Sequence, residues 1–170
     1  MDGLKPGVLL EVGFDDVAPN TAKDINSWLY DHAAGKVEII DNRAKAVACY
    51  DPGYTFVEKL QTISTKFRQQ QASQDFPINF MRHYYDVYSL LQRPEVQNFI
   101  GTDAYRAHKQ KRFRPGDNQK ISQNEAFALS APETRTSYAK AFADSTVLYY
   151  GDKPTFDQIL AEIGKWKARL

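Results

Sequence analysis

Cysteine is almost missing from this sequence. Cys49 is the single one in 170 residues, which excludes an intrachain disulfide and a cysteine-based zinc cluster. Histidine is scarce as well: His32, His83 and His108 stand at no metal-ligand spacing. No excess of one charge is present. Twenty-two Lys and Arg face 21 Asp and Glu, a formal net charge of +1, so any affinity for anions must come from local clustering. No apolar run approaches membrane-spanning length, and the first residues do not read as a signal peptide. The expectation is a soluble, cytoplasmic protein with no membrane partner. Gly-rich phosphate loops, H-E-x-x-H, G-x-S-x-G and a nucleophilic Cys–His pair are missing too. Aromatic residues are plentiful, with ten Tyr and ten Phe, and the length suffices for one domain with a real core.

The order of elements argues for an α+β fold, strands first and helices after. Val8, Leu10, Val12 and Phe14 alternate with other residues over 7–16, a strand pattern. Residues 18–34 read as a short helix capped by Asn20 or Thr21, with Ile25, Trp28 and Leu29 apolar. Two strands over 36–40 and 44–50 follow, joined by a turn at Asp41, Asn42 and Arg43. These three strands make a small, incomplete mixed sheet in residues 1–50. Residues 51–170 read as a helical bundle. An open sheet edge is normally covered, so a homodimer is an expected arrangement. The first bundle helix, 52–71, has two unlike stripes. Phe56, Leu60, Ile63 and Phe67 form an apolar one. Thr55, Lys59, Thr62 and Lys66, shifted by one residue, form a polar and cationic one. Helices over 78–93 and 102–112 follow. The stretch 115–134 lacks periodicity and reads as a loop. Two helices close the chain. Tyr138, Ala141, Phe142, Ser145, Leu148 and Tyr149 give the first its apolar face. Phe156, Ile159, Leu160, Ile163 and Leu170 give the second its own, behind a Thr155/Gln158 capping box.

Four groups of residues are chemically suggestive. Lys59 and Lys66, with Arg68 nearby and Arg82 on the next helix, can form a cationic wall suited to phosphate. The alternative is a solvated face on which Thr55 and Glu58 merely cap the helix. Asp86 stands one turn after Arg82 and can pair with it. Flanked by tyrosines, it can also position a metal or a substrate hydroxyl. Glu11 is a carboxylate on an otherwise apolar strand, costly unless it meets a partner or a metal. Arg106, Lys109, Lys111, Arg112 and Arg114 belong to the densest basic run, which can follow a nucleic-acid backbone.

Two motifs now carry a resemblance. "PGYTFVEKL" (52–60) resembles the P-x-x-T-x-x-E-K-L motif of the AbiEii/AbiGii toxin family of nucleotidyltransferase-like proteins. "RHYYDVYSLL" (82–91) resembles that family's R-x-x-x-D-x-Y-x-L motif. The later "YGDKPTFDQIL" (150–160) is similar to a G-x-x-P-(T/S)-F ending in one branch. The resemblance implies a polymerase-β-like nucleotidyltransferase core, here partial in 1–50, followed by a helical bundle in 51–170. It implies Mg²⁺ and a nucleoside triphosphate. It also implies an acceptor such as the end of a transfer RNA, and a cognate antitoxin. Lys59 would meet the triphosphate, with Thr55, Lys66 and Arg82 on the same side. Asp86 would be the essential polar residue of the later helix, and Glu11 would align with a metal-binding carboxylate. The sequence departs from the pattern in one respect: it contains no G-S motif followed by an Asp-x-Asp pair, the carboxylates that clamp metal ions and triphosphate in such cores. The chain therefore looks like the C-terminal part of a family member, through truncation or an alternative start, and little or no turnover is expected of it. A competing reading makes the bundle a non-enzymatic module that binds RNA or an antitoxin. A third leaves it a folded remnant.

Overall fold

The computed structural model describes residues 14–15, 18–77, 79–145 and 153–170. Glu11, most of the strand expected over 7–16, and Leu148 and Tyr149 lie outside the described residues. The chain divides into two compact units, Met1–Tyr50 and Asp51–Leu170.

In the first unit, β1 (Asn20–Ile25) and β2 (Ala44–Tyr50) form an antiparallel pair. The register sets Asn20 opposite Tyr50, Thr21 opposite Cys49 and Lys23 opposite Val47, then shifts between Lys23 and Ile25. At that irregularity Ala46 takes a positive φ of 53°, and its N–H donates to the Asp24 carboxylate at 3.0 Å. A side chain thus replaces the ladder partner that the bulge removes. The expectation for 44–50 agrees with β2. Two others are corrected. Residues 20–25 are strand, not helix, and the helix α1 (Trp28–Ala33) begins only after Ser27, whose Oγ accepts from the Tyr30 N–H at 3.1 Å. Asn20 and Thr21 therefore cap nothing. Residues 36–40 are not a strand; the antiparallel partner of β2 is β1. The fold class is α+β, with a sheet of two antiparallel strands among the described residues.

The second unit is helical. It is built on α2 (Pro52–Ser73), whose N-cap Asp51 accepts from the Gly53 N–H at 2.8 Å and whose first position is proline. Phe56, Leu60 and Ile63 are fully buried, and Phe67 packs partly buried against the same core. The apolar stripe is therefore the inner face. Following it are α3 (Arg82–Leu91), α4 (Pro94–Phe99), α5 (Asp103–Arg112), α6 (Glu125–Ala128), α7 (Pro132–Ser145) and α8 (Phe156–Trp166). From α3, Tyr84, Val87 and Leu91 enter the core. Tyr84 meets Phe156 at 5.3 Å and Tyr138 at 6.3 Å between ring centroids, both edge-on, a favoured aromatic geometry. Its hydroxyl donates to the Ala126 carbonyl at 2.7 Å. The Tyr138 hydroxyl donates to Gln70 Oε1 at 2.9 Å. The Thr155/Gln158 capping box starts α8 as the sequence indicates. No helix among the described residues is long and apolar enough to cross a membrane.

The stretch read as a loop is more ordered than its aperiodicity implies. It holds a 3-10 turn at Ile121–Gln123 and the short α6, and α7 begins inside it. Asn124, buried, donates to Ser64 Oγ at 2.9 Å and to the Asn118 carbonyl at 2.7 Å. Asp117 accepts from the Thr65 hydroxyl and from Arg68 Nε at 3.0 Å. Polar side chains reaching back to α2 tie this segment down, so no apolar period is required.

Gly53 fixes how closely α4 approaches. A Cβ added there would stand 2.6 Å from Phe99 Cδ1 and 3.0 Å from its Cβ. Gly53→Ala is expected to lower stability by about 1–3 kcal/mol through overpacking, read as a drop in the urea midpoint. An unchanged midpoint would show that Phe99 moves aside freely.

Candidate functional site

The second stripe of α2 has a clear chemical division. Its two hydroxyls serve the helix itself: Thr55 Oγ1 donates to the Asp51 carbonyl at 3.0 Å and Thr62 Oγ1 to the Glu58 carbonyl at 2.8 Å. Its two lysines face α3. Lys59 Nζ stands 2.7 Å from Asp86 Oδ2, with the ammonium side chain 26 % and the carboxylate side chain 32 % exposed. Lys66 is two helical turns further along, with Arg82 close enough to act on it electrostatically. Burial first, then Arg82, pushes the Lys66 pKa down. Arg82 itself is exposed.

The fifth member is His83, which the sequence reading passes over. Its ring is buried, and Nδ1 lies 3.6 Å from the same Asp86 oxygen that Lys59 holds. Burial pushes the imidazole pKa down; Asp86 opposes this, and the charges of Lys59 and Lys66 reinforce it. The ring is therefore neutral at physiological pH. Burial alone would raise the Asp86 carboxyl, but His83 and Lys59 outweigh it and hold it below its ordinary value. Asp86 is thus an ionised carboxylate that turns across to α2. The i,i+4 pairing with Arg82 suggested by the sequence is not the one formed.

Lys59 and Asp86 meet across two adjacent helices, Lys59 and Lys66 both act on His83, and Arg82 acts on Lys66. Such a surface can take an anion with several oxygens, since each ammonium or guanidinium offers charge-assisted donors. Thr55 lies one turn before Lys59. Arg68 does not join them; it pairs with Asp117.

Glu58 has a different role from the capping one considered above, because Asp51 is the N-cap. Its carboxylate faces His108 Nε2 at 2.9 Å and Arg112 Nε at 2.7 Å, joining α2 to α5. The basic run on and beyond α5 is accordingly in use within the fold. Arg106 donates to Asp103 at 2.5 Å and to the Gly101 carbonyl. Lys109 donates to the Leu170 carbonyl and sits near the rings of Tyr105 and Phe113, at 5.5 and 5.8 Å from their centroids. Burial pulls its pKa down to about 8. Lys111 and Arg114 are exposed. A cleft of about 470 Å³ runs along this helix, lined in part by Tyr105, Arg106, Lys109 and Arg169. It does not include Lys59 or Asp86.

Among the described residues, no group of three or more His, Cys, Asp or Glu is placed to hold a metal ion. Asp86 is engaged by Lys59. The described residues therefore do not fit Mg²⁺, and Glu11 lies outside them.

Set beside the known families, the chain falls among nucleotidyltransferase-like proteins. The model of the nucleotidyl transferase AbiEii toxin, a type IV toxin–antitoxin system, matches residues 1–162. The chain belongs to this AbiEii toxin family. No curated protein and no solved structure matches it significantly.

Proposed function

We propose that the α2–α3 face is the triphosphate-holding side of a nucleotidyltransferase site. The observation that carries this reading is the Lys59–Asp86 pair at 2.7 Å, with Lys66 acting on the same His83 as Lys59 and Arg82 acting on Lys66. In this reading Lys59, Lys66 and Arg82 neutralise the phosphate oxygens, and Thr55 belongs to the near end of the same surface. Asp86 keeps Lys59 oriented until the anion arrives. Mg²⁺, which family membership implies, would offset triphosphate charge when bound. No step is assigned to it through the described residues.

The first unit is, in the same reading, part of a nucleotidyltransferase core and the second its helical companion. The acceptor would be RNA, the compartment the cytoplasm, and an antitoxin the restraining partner. Because the sequence holds no G-S and Asp-x-Asp segment, this chain alone is expected to bind triphosphate without transferring a nucleotide. Calorimetric titration with GTP, CTP, UTP and ATP in the presence of Mg²⁺ tests this. Binding of at least one of the four is the expected result, and no heat from any of them would overturn the reading.

A second reading rests on the cleft along α5. Its cations suit an RNA phosphate, and Arg114 and Lys111 extend the charge at the surface. It predicts RNA binding that falls steeply with salt. Salt-independent association with a protein would point instead to an antitoxin interface.

A further inference from the structure

We propose that His83 is a positioning residue that takes over Asp86 when Lys59 is drawn away to a triphosphate. The inference rests on the reading of the α2–α3 face given above. His83 is 7 % exposed. Its Nδ1 is buried with no hydrogen-bond partner, the one such side-chain atom among the described residues. Native folds pair nearly all buried polar atoms, so an exception asks for an explanation.

The explanation is at hand within the cluster. The acceptor nearest this nitrogen is Asp86 Oδ2, 3.6 Å away and just beyond hydrogen-bond reach. That oxygen is held by Lys59 at 2.7 Å. One acceptor therefore faces two donors from two helices, and only the lysine is engaged. A neutral imidazole has one N–H to place. The burial and the neighbouring charges of Lys59 and Lys66 keep the ring neutral.

A triphosphate changes the balance. Lys59 is long and flexible and stands on the α2 surface that would carry the anion. When its ammonium turns to phosphate oxygens, Asp86 loses the charge that holds it. A half-buried carboxylate without a partner is costly. A small rotation of the Asp86 side chain brings it within reach of the His83 Nδ1–H, whose own deficit is met by the same movement. Exchange of partners thus keeps Asp86 ionised and aimed while releasing Lys59. Asp86 acts as a latch at rest, and His83 as the catch that receives it.

The test uses the full chain, nitrogen-15 imidazole spectra and inorganic tripolyphosphate as the probe. In Lys59→Met without ligand, a slowly exchanging, downfield Nδ1–H proton of His83 is expected, absent from the unmodified chain. Tripolyphosphate added to the unmodified chain should produce the same signal. His83→Phe should weaken tripolyphosphate binding about tenfold, the loss of one hydrogen bond to a charged group. His83→Asn, which keeps an N–H near the Nδ1 position, should restore most of it. Urea midpoints show whether both variants fold; if His83→Phe does not, the Lys59→Met spectrum decides. A folded His83→Phe chain that binds like the unmodified one, or no Nδ1–H signal in Lys59→Met, overturns the inference and leaves the triphosphate reading standing. An unmodified chain that does not bind tripolyphosphate overturns both.

Discussion

Tyr84→Ala is expected to remove about 3–5 kcal/mol of stability, enough to unfold a marginal domain. Tyr84 is fully buried and is among the largest such side chains. It stands where α3, α7 and α8 meet, against Tyr138 and Phe156, and Phe80 packs on it at 5.7 Å. Truncation leaves a cavity bounded by three rings that cannot all collapse into it. It also strips the Ala126 carbonyl of its donor. Tyr84→Phe separates the two effects: the ring stays, and only the carbonyl is left unsatisfied, a cost of about 1–3 kcal/mol. Urea unfolding followed by circular dichroism measures both. A loss below about 1 kcal/mol for Tyr84→Ala would mean that the aromatic cluster does not hold the bundle together.

Removing Lys59 and Lys66 together, as Lys59→Ala with Lys66→Ala, should weaken triphosphate binding about a hundredfold or more, since each charge-assisted contact contributes about 1.5–3 kcal/mol. The two residues sit on one stripe of α2, and both act on His83, so they border a common space. Lys59→Ala alone should do less than its share of the double loss. It removes a phosphate ligand, but it also removes the residue that Asp86 would otherwise hold back. Calorimetry with tripolyphosphate and with the best-binding nucleoside triphosphate gives the comparison. A double variant that binds within threefold of the unmodified chain would move the triphosphate site off this face.

The helical half was legible because its signals are local. Phe56, Leu60 and Ile63 repeat with the helical period, and they are buried with that period. Thr155 and Gln158 announce the start of α8 within four residues. The strand at 44–50 was readable from Val47, its small residues and the turn-like Asp41–Arg43 before it. Its partner was not. Every residue of Asn20–Ile25 is exposed, so no alternation marks it, and it is a strand only because β2 pairs with it. The segment around Asn124 was opaque for a related reason. Its order comes from hydrogen bonds to Ser64 and to residues near Asn118, contacts that leave no period in the sequence.

In the candidate site, the Lys59–Asp86 pair joins two residues that motif spacing and a cationic stripe with no core to serve had singled out. His83 was not, because whether a histidine on a polar-flanked helix ends buried or wet is decided by the neighbouring helix. The alternative that made Glu58 part of a cap fails for the same reason. Its partners, His108 and Arg112, lie some fifty residues away in sequence, where no short-range pattern points to them.

Glu58 and Lys59 are consecutive, about 100° apart around α2, and they carry opposite charges toward different neighbours. One reads the basic flank of α5, the other the acidic residue of α3. This dipeptide works as an address: each approaching helix has one side of α2 on which its charge is welcome. Interchanging the two letters would preserve composition, net charge and helical tendency. It would nonetheless set an acid against Asp86 and a base against Arg112, so that both neighbours meet their own sign.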